Sequence, residues 1–250
     1  MKLVKNQKYE TFYRSSTLPK GAIASLGTIE KDACSYFGSH DKQLFRGEKS
    51  LKKIIKNIDF NSVLDIGAGQ CKQTFFFKGQ GKQVFTCDLV RNDGPHCDNK
   101  INNYNFNGNF LDIDFDGKKF DFVFASHVLE HQRNVGSFID KMISVTRDNG
   151  YLCIIVPIRK PFIVGGHLSI WNPGLLLYNL VSSGIDCSEC YIEQHDYDIS
   201  FIVKLNKFNI SDKLLFYDRG DIDILKNYFP FGVQEPFNGD FMYCNTLFNE

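Results

Sequence analysis

Three histidines and one glutamate carry the most chemical promise in this 250-residue chain. His127, Glu130 and His131 follow at i, i+3 and i+4, a spacing that gathers side chains on one side of a helical turn. His167 lies further on, in the run Gly165-Gly166-His167-Leu168-Ser169-Ile170-Trp171-Asn172, which holds the only Trp. Imidazole is the usual base near neutral pH, and three of the six His fall in these two segments, so they form a candidate proton-handling set. His167 is the first choice as general base and His131 the second, with Glu130 beside them. The plainer alternative is that Glu130 and His131 only stabilise a strand-to-helix junction, since charged clusters are often structural. Trp171 also has two readings: a face of an acceptor pocket, or a ring packed beneath the next helix.

A second constellation is Val63-Leu64-Asp65-Ile66-Gly67-Ala68-Gly69. An apolar strand ending in a G-x-G turn is expected to set backbone N–H groups beside a ligand, and glycine permits the close approach and the unusual dihedrals. Asp88 closes the next strand, where a carboxylate can accept both hydroxyls of an adenosine ribose. A dinucleotide site would want a third glycine, but position 72 is Lys. Asp65, two residues before the first glycine, would also repel a pyrophosphate and suits a positively charged ligand.

These residues need a scaffold. From 60 to 205, short apolar runs alternate with amphipathic stretches, the pattern of βαβ units around a parallel sheet. Strands are predicted at 63–66, 83–87, 120–126 and 151–156, as continuous apolar runs buried on both faces. Val135, Phe138, Ile139, Met142 and Ile143 share one helical face, with Asn134 placed to cap that helix and Asn149-Gly150 to end it. A later helix opens with Asn172 as cap and Pro173 in its first turn, and stops at Gly184. Two last strands, 187–193 and 199–205, are too close for a helical crossover and must pair as an antiparallel hairpin. Residues 45–205 read as the core, 1–44 as an N-terminal appendage or lid, and 206–250 as a C-terminal extension.

Composition narrows the partners. Hydrophobic residues make up 43% and include 24 Phe, enough for a large core. Twenty-nine basic residues balance 29 acidic ones, and no basic stripe marks a nucleic-acid surface. Lys49, Lys52, Lys53 and Lys56 read as the solvated face of a helix. No apolar run reaches the roughly 18 residues that span a bilayer, and the N-terminus lacks a cleavable leader, so a cytoplasmic protein without a membrane partner is expected. The eight Cys read as reduced core thiols; Cys187 and Cys190 have C-x-x-C spacing, but no second pair would complete a zinc site, and alternating burial along a strand is preferred.

In order and spacing, residues 63–69, Asp88, the run 120–131 (Phe-Asp-Phe-Val-Phe-Ala-Ser-His-Val-Leu-Glu-His) and Asn149-Gly150-Tyr151-Leu152 resemble the successive motifs of class I (Rossmann-like) S-adenosylmethionine-dependent methyltransferases. The resemblance covers residues 45–205. It implies an α/β fold with a doubly wound, seven-stranded, mostly parallel sheet and an antiparallel terminal hairpin. It also implies S-adenosylmethionine as cofactor and S-adenosylhomocysteine as product. By the same resemblance Asp65, Gly67, Ala68 and Gly69 line the methionine part of the cofactor, Asp88 holds the ribose, and Leu89 lies against the adenine. Asn109, where an Asp is common, and Phe110 would meet the adenine amine and ring edge; Ala125, Ser126 and His127 would sit beside the sulfonium.

Residues 127–184 are similar to methyltransferases of bacterial surface-polysaccharide biosynthesis. That implies O-methylation of a small-molecule acceptor, a sugar hydroxyl on a nucleotide-activated sugar or a glycan. His127, Glu130, His131 and His167 also resemble the Glu-x-x-Glu-His plus distant His metal set of small-RNA and ubiquinone-type O-methyltransferases, with His127 replacing the first Glu. A divalent metal there would lower the acceptor hydroxyl's pKa in place of a base; the reading adopted assigns no metal. Methyl transfer to another small molecule, and a non-catalytic S-adenosylmethionine-binding subunit, are the alternatives.

Overall fold

The computed structural model describes residues 46–89 and 105–248; the appendage expected at 1–44 lies outside them. The apolar runs become strands as their two-sided hydrophobicity requires. In β1 (Ser62–Ile66) every residue is buried, and in β4 (Phe120–Ser126) five of seven are. Between and after them come α1 (Glu48–Asn57), α2 (Lys72–Gly79), β2 (Gln83–Asp88) and a short β3 (Phe106–Asn107). Then follow α3 (Val135–Val145), β5 (Thr146–Pro157), α4 (Pro173–Ser182), β6 (Cys190–His195), β7 (Asp198–Lys204), α5 (Asp221–Leu225) and β8 (Tyr243–Asn245).

The described strands form one sheet in the order β3-β2-β1-β4-β5-β7-β6-β8. β3 to β5 run parallel, β7 is antiparallel to both β5 and β6, and β8 is antiparallel to β6. The sheet therefore has eight strands where seven were expected: the segment after residue 205 returns to pair Tyr243–Asn245 with the open edge of β6. Strand order reverses between β1 and β4, and ligands of doubly wound sheets bind in the crevice at that reversal, outside the carboxyl ends of the strands. Asp65 to Gly69 and Ser126 to Glu130 are the segments that leave those two ends.

Alternate residues of the central strands feed two cores. On one face Val63, Phe122, Phe124 and Ile155 pack with Leu51 and Ile54 of α1 and Phe77 of α2. On the other, Leu64, Ile66, Val123, Ala125 and Ile154 pack with Phe138 and Met142 of α3 and Leu176 and Leu180 of α4. The α4 start is as expected: Asn172 Oδ1 accepts the Leu175 N–H at 2.7 Å, with Pro173 next to it.

Three local expectations need correction. Asn134 occupies the α3 N-cap position, but its side chain makes no capping bond. α3 ends at Val145, before Asn149-Gly150, because Thr146 turns extended and its hydroxyl donates to the Met142 carbonyl at 2.7 Å. Residues 146–150 instead belong to β5, with a register shift against β4; a Cβ on Gly150 would lie 2.8 Å from the Asp121 carbonyl. Lys49, Lys52 and Lys56 of α1 are exposed, as the solvated-face reading expects; Lys49 also pairs with Glu193, and Lys53 lies 4.6 Å over the Tyr191 ring, tying the helix to β6. Cys187 and Cys190 are both fully buried free thiols, and Cys187 precedes β6, so they do not alternate within one strand. No helix among the described residues is long and apolar enough to cross a membrane.

Candidate active site

β1 delivers Asp65 into the interior, where the Thr74 hydroxyl of α2 donates to its Oδ2 at 2.5 Å. Burial pushes the Asp65 carboxyl up to about 7; Thr74 pulls it down, and the nearby charge of Asp88 adds to the rise. Gly67 then takes φ 70°, and a Cβ there would come within 2.3 Å of Val128 Cγ2. Only glycine lets the chain leaving β4 cross so close to the turn. The N–H groups of the turn do not point outward as expected. Gly67 and Ala68 donate to the Cys87 carbonyl at 2.7 and 3.3 Å, and Gly69 donates to Asp88 Oδ2 at 2.6 Å.

Those bonds fasten the turn to the end of β2. Asp88 is only partly buried, and its Oδ1 accepts the Leu89 N–H at 2.6 Å. Each oxygen thus holds one backbone donor and keeps a further lone pair. Leu89 is exposed. The next strand end reaches the same neighbourhood through the Gly108 N–H, which donates to the Asp88 carbonyl at 2.9 Å. Beside it opens a cavity of 390 Å³ whose walls include Asn105, Asn107, Asn109 and Asp112. Asn109 also caps the following turn, while Phe110 is buried in the core 5.0 Å from the Phe138 ring and does not line the cavity.

At the tip of β4, the Ser126 hydroxyl is buried without a hydrogen-bond partner. His127 follows with φ 55°, a left-handed conformation that costs a residue with a Cβ and that clusters at functional sites. Its Nε2 is 2.8 Å from Asp198 Oδ1 at the start of β7, and its ring stacks on Tyr197 at 5.7 Å. Burial lowers the His127 pKa, but the Asp198 and Glu130 carboxyls outweigh it and hold the imidazole above its ordinary value.

Glu130 is 0% exposed. His127 Nδ1 lies 3.3 Å and His131 Nε2 3.7 Å from its Oε1, yet neither approach has hydrogen-bond geometry, so both carboxylate oxygens lack a donor. The loop after β5 is clasped onto this point: Leu168 and Ser169 N–H donate to the Glu130 carbonyl at 2.7 and 3.2 Å, and His131 Nδ1 meets the Gly166 carbonyl at 2.7 Å. The His131 and His167 rings come edge to face at 5.0 Å. Ligand atoms of Glu130, His131 and His167 all lie within 4.8 Å of one another. Burial and the neighbouring cations hold His167 below its ordinary value, against the pull of Glu130.

The structure thus brings Glu130, His131 and His167 together, and sets His127 against Asp198. Trp171 is buried at 3% exposure, packed beneath α4, so it offers no face to an acceptor. Asp198, Tyr197 and Thr74 were not singled out in the sequence. Asp198 and Tyr197 meet His127 from a distant strand end, and Thr74 meets Asp65 from the helix after the turn; no local spacing marks them.

S-adenosylmethionine is a cationic nucleoside, and the residues present fit it: a glycine turn too close-packed for any Cβ at Gly67, a partly exposed carboxylate at the end of β2, a buried acid behind the turn, and an unpartnered hydroxyl at Ser126. The family model of a methyltransferase domain matches residues 64–154. Among solved structures, a SAM-dependent methyltransferase from Archaeoglobus fulgidus is similar, with TM-score 0.51 and 18% identity over 62% of this chain and 91% of that one. Another, from Aquifex aeolicus, has TM-score 0.51 and 14% identity over 72% and 100%. The Burkholderia thailandensis 1,6-didemethyltoxoflavin-N1-methyltransferase, solved with 1,6-didemethyltoxoflavin and S-adenosylhomocysteine, has TM-score 0.50 and 15% identity over 83% and 93%. At such identities the likeness speaks for the fold. No curated protein sequence matches the chain. Residues 64–154, from Leu64 in β1 to Ile154 in β5, thus match the model of a methyltransferase domain, and the fold is one that these S-adenosylmethionine-dependent methyltransferases have.

Proposed function

We propose that the chain methylates a hydroxyl oxygen of a small acceptor, a sugar hydroxyl on a nucleotide-activated sugar or a glycan of a bacterial surface polysaccharide. The observation that carries the oxygen acceptor is the convergence of Glu130, His131 and His167 one turn beyond the β4 tip. A hydroxyl must lose a proton as it is methylated, and a carboxylate with two imidazoles is a set able to take it. The sugar rests on the similarity of residues 127–184 and on the absence of net charge, which suits a small acceptor better than a polyanion.

When bound, S-adenosylmethionine supplies an electrophilic methyl carbon on a sulfonium leaving group. The chain's residues do the rest. Asp65, behind Gly67, Ala68 and Gly69, faces the positive methionine end; Asp88 takes the ribose hydroxyls on its remaining lone pairs; Leu89 covers the adenine, and Asn109 meets its amine from the cavity wall. Phe110 supports Asn109 from the core. Ser126 and His127 border the sulfonium, and His127 is oriented by Asp198. The acceptor oxygen is aligned for in-line attack beside His167 and His131, and alignment is itself a large part of the rate.

The test is incubation with deuterated S-adenosylmethionine and a panel of nucleotide sugars, free glycans, catechols and amines, read by mass spectrometry. A labelled methyl ether on a sugar is expected. Labelling of an amine or a non-sugar hydroxyl, with the sugars unchanged, would overturn the acceptor assignment. Binding of S-adenosylhomocysteine without turnover of any acceptor would favour the non-catalytic subunit.

A further inference from the structure

Glu130 poses a physical problem. Its carboxylate is fully out of water, and neither oxygen receives a hydrogen bond. Buried carboxylates are costly unless donors or a cation compensate them, and native structures nearly always provide one or the other. His127 Nδ1 approaches Oε1 at 3.3 Å outside hydrogen-bond geometry, its Nε2 is held by Asp198 at 2.8 Å, and it does not belong to the set whose ligand atoms converge.

His131 and His167 are placed differently. The Gly166 carbonyl accepts from His131 Nδ1 at 2.7 Å, so that nitrogen carries a proton, and in the neutral ring Nε2 presents a lone pair. That lone pair looks toward Glu130 Oε1 at 3.7 Å without a hydrogen bond between them. Two electron-rich atoms facing each other are repulsive unless positive charge lies between. A backbone carbonyl on the far ring nitrogen is also how metal-binding imidazoles are commonly oriented. His167 completes the set, its loop fixed by the Leu168 and Ser169 N–H bonds to the Glu130 carbonyl. Gly166 has φ 81°, and a Cβ there would press within 3.2 Å of His131 Nδ1, so the loop closes on the histidine only because this residue is glycine.

We propose that Glu130, His131 and His167 bind a divalent transition-metal cation, through one carboxylate oxygen and two imidazole nitrogens within 4.8 Å of one another. The donor set selects the class. Two nitrogens and one oxygen suit Zn²⁺, Co²⁺, Fe²⁺ or Mn²⁺, whereas Mg²⁺ and Ca²⁺ prefer oxygen shells. Three protein ligands leave coordination positions open, as in catalytic sites. On the hydroxyl-acceptor reading, the acceptor oxygen would take one of these, and its proton would become more acidic there. The cation-binding claim itself stands without that reading.

The test is titration of the chelator-treated full chain with Co²⁺ alone, followed by visible ligand-field absorption, then displacement with Zn²⁺. One equivalent should saturate the band, and a large excess of Mg²⁺ should not displace it. His167→Ala, a change in a half-buried loop residue, and Glu130→Gln, which keeps the side-chain shape, should each weaken binding by at least about tenfold. S-adenosylhomocysteine binding, measured by calorimetry on the same samples, should be retained. No band at millimolar Co²⁺, or a band unaltered in His167→Ala, would overturn the proposal. So would a near-ultraviolet thiolate charge-transfer band, which would place the cation on cysteines. If Co²⁺ binds as expected but S-adenosylhomocysteine does not, the methyltransferase reading fails and the metal site survives.

Discussion

Asp198 holds His127: its Oδ1 accepts from the imidazole Nε2 at 2.8 Å, while its Oδ2 accepts the Gly47 N–H at 3.0 Å. One carboxylate at the start of β7 therefore fixes both the strained residue that ends β4 and the entry to α1. Asp198→Ala should cost roughly 2–3 kcal/mol, since hydrogen bonds to charged groups are among the stronger ones. For a chain of this size that is a fall in Tm of about 4–12 °C. Asp198→Asn, which still offers one acceptor, should lose less. Thermal unfolding of the two variants checks this; an unchanged Tm in Asp198→Ala would contradict it.

Gly67 has no room for a side chain. Gly67→Ala places a methyl group 2.3 Å from Val128 Cγ2 in a left-handed conformation, so it should destabilise the fold by about 1–3 kcal/mol and abolish cofactor binding. Val128→Ala removes the clashing methyl. In a double-mutant cycle it should return part of the stability but not the backbone strain. Strict additivity of the two changes would show that the predicted clash does not exist.

Asp65 gives the site a pH signature. An ordinary carboxyl at 3.8 is raised to about 7 in the fold, chiefly by burial. The folded chain then binds this proton more tightly than the unfolded one, so the group's contribution to stability falls as pH rises from about 4 to about 7 and is flat above that. A positively charged ligand favours the ionised form. Cofactor affinity should therefore drop by up to about tenfold per pH unit below 7. Calorimetry from about pH 5.5 to 8 tests this, with Asp65→Asn expected to bind weakly and without that slope. Equal slopes in the two proteins would remove Asp65 from the role.

Much of this was legible in the sequence because the signals were local. β4 was predicted at its observed limits, since Phe120 to Ser126 is one continuous apolar run; the Asn172-Pro173 start and the terminal hairpin likewise rest on neighbouring residues. The glycine turn was found, but the direction of its N–H groups was not. That depends on how β2 lies against it, through Cys87 and Asp88. β8 was missed because a three-residue edge strand has no periodicity to read, only an open neighbour to pair with. Asn149-Gly150 looks like a helix stop, but a register shift in β5 uses the same residues. In the acid–histidine set, the i, i+3, i+4 spacing found Glu130 and His131. The loop's bonds to the Glu130 carbonyl bring His167 to them, and the bond from its own Nε2 turns His127 to Asp198.

The central claim is that the crevice at the ends of β1, β2 and β4 binds S-adenosylmethionine through the turn and Asp88. Isothermal titration of the full chain with S-adenosylhomocysteine, wild type against Asp88→Ala, tests it most directly. One equivalent should bind the wild type, with a loss of at least about tenfold, or 1.4 kcal/mol, in the variant. No binding to the wild type, or equal binding by both proteins, would contradict it.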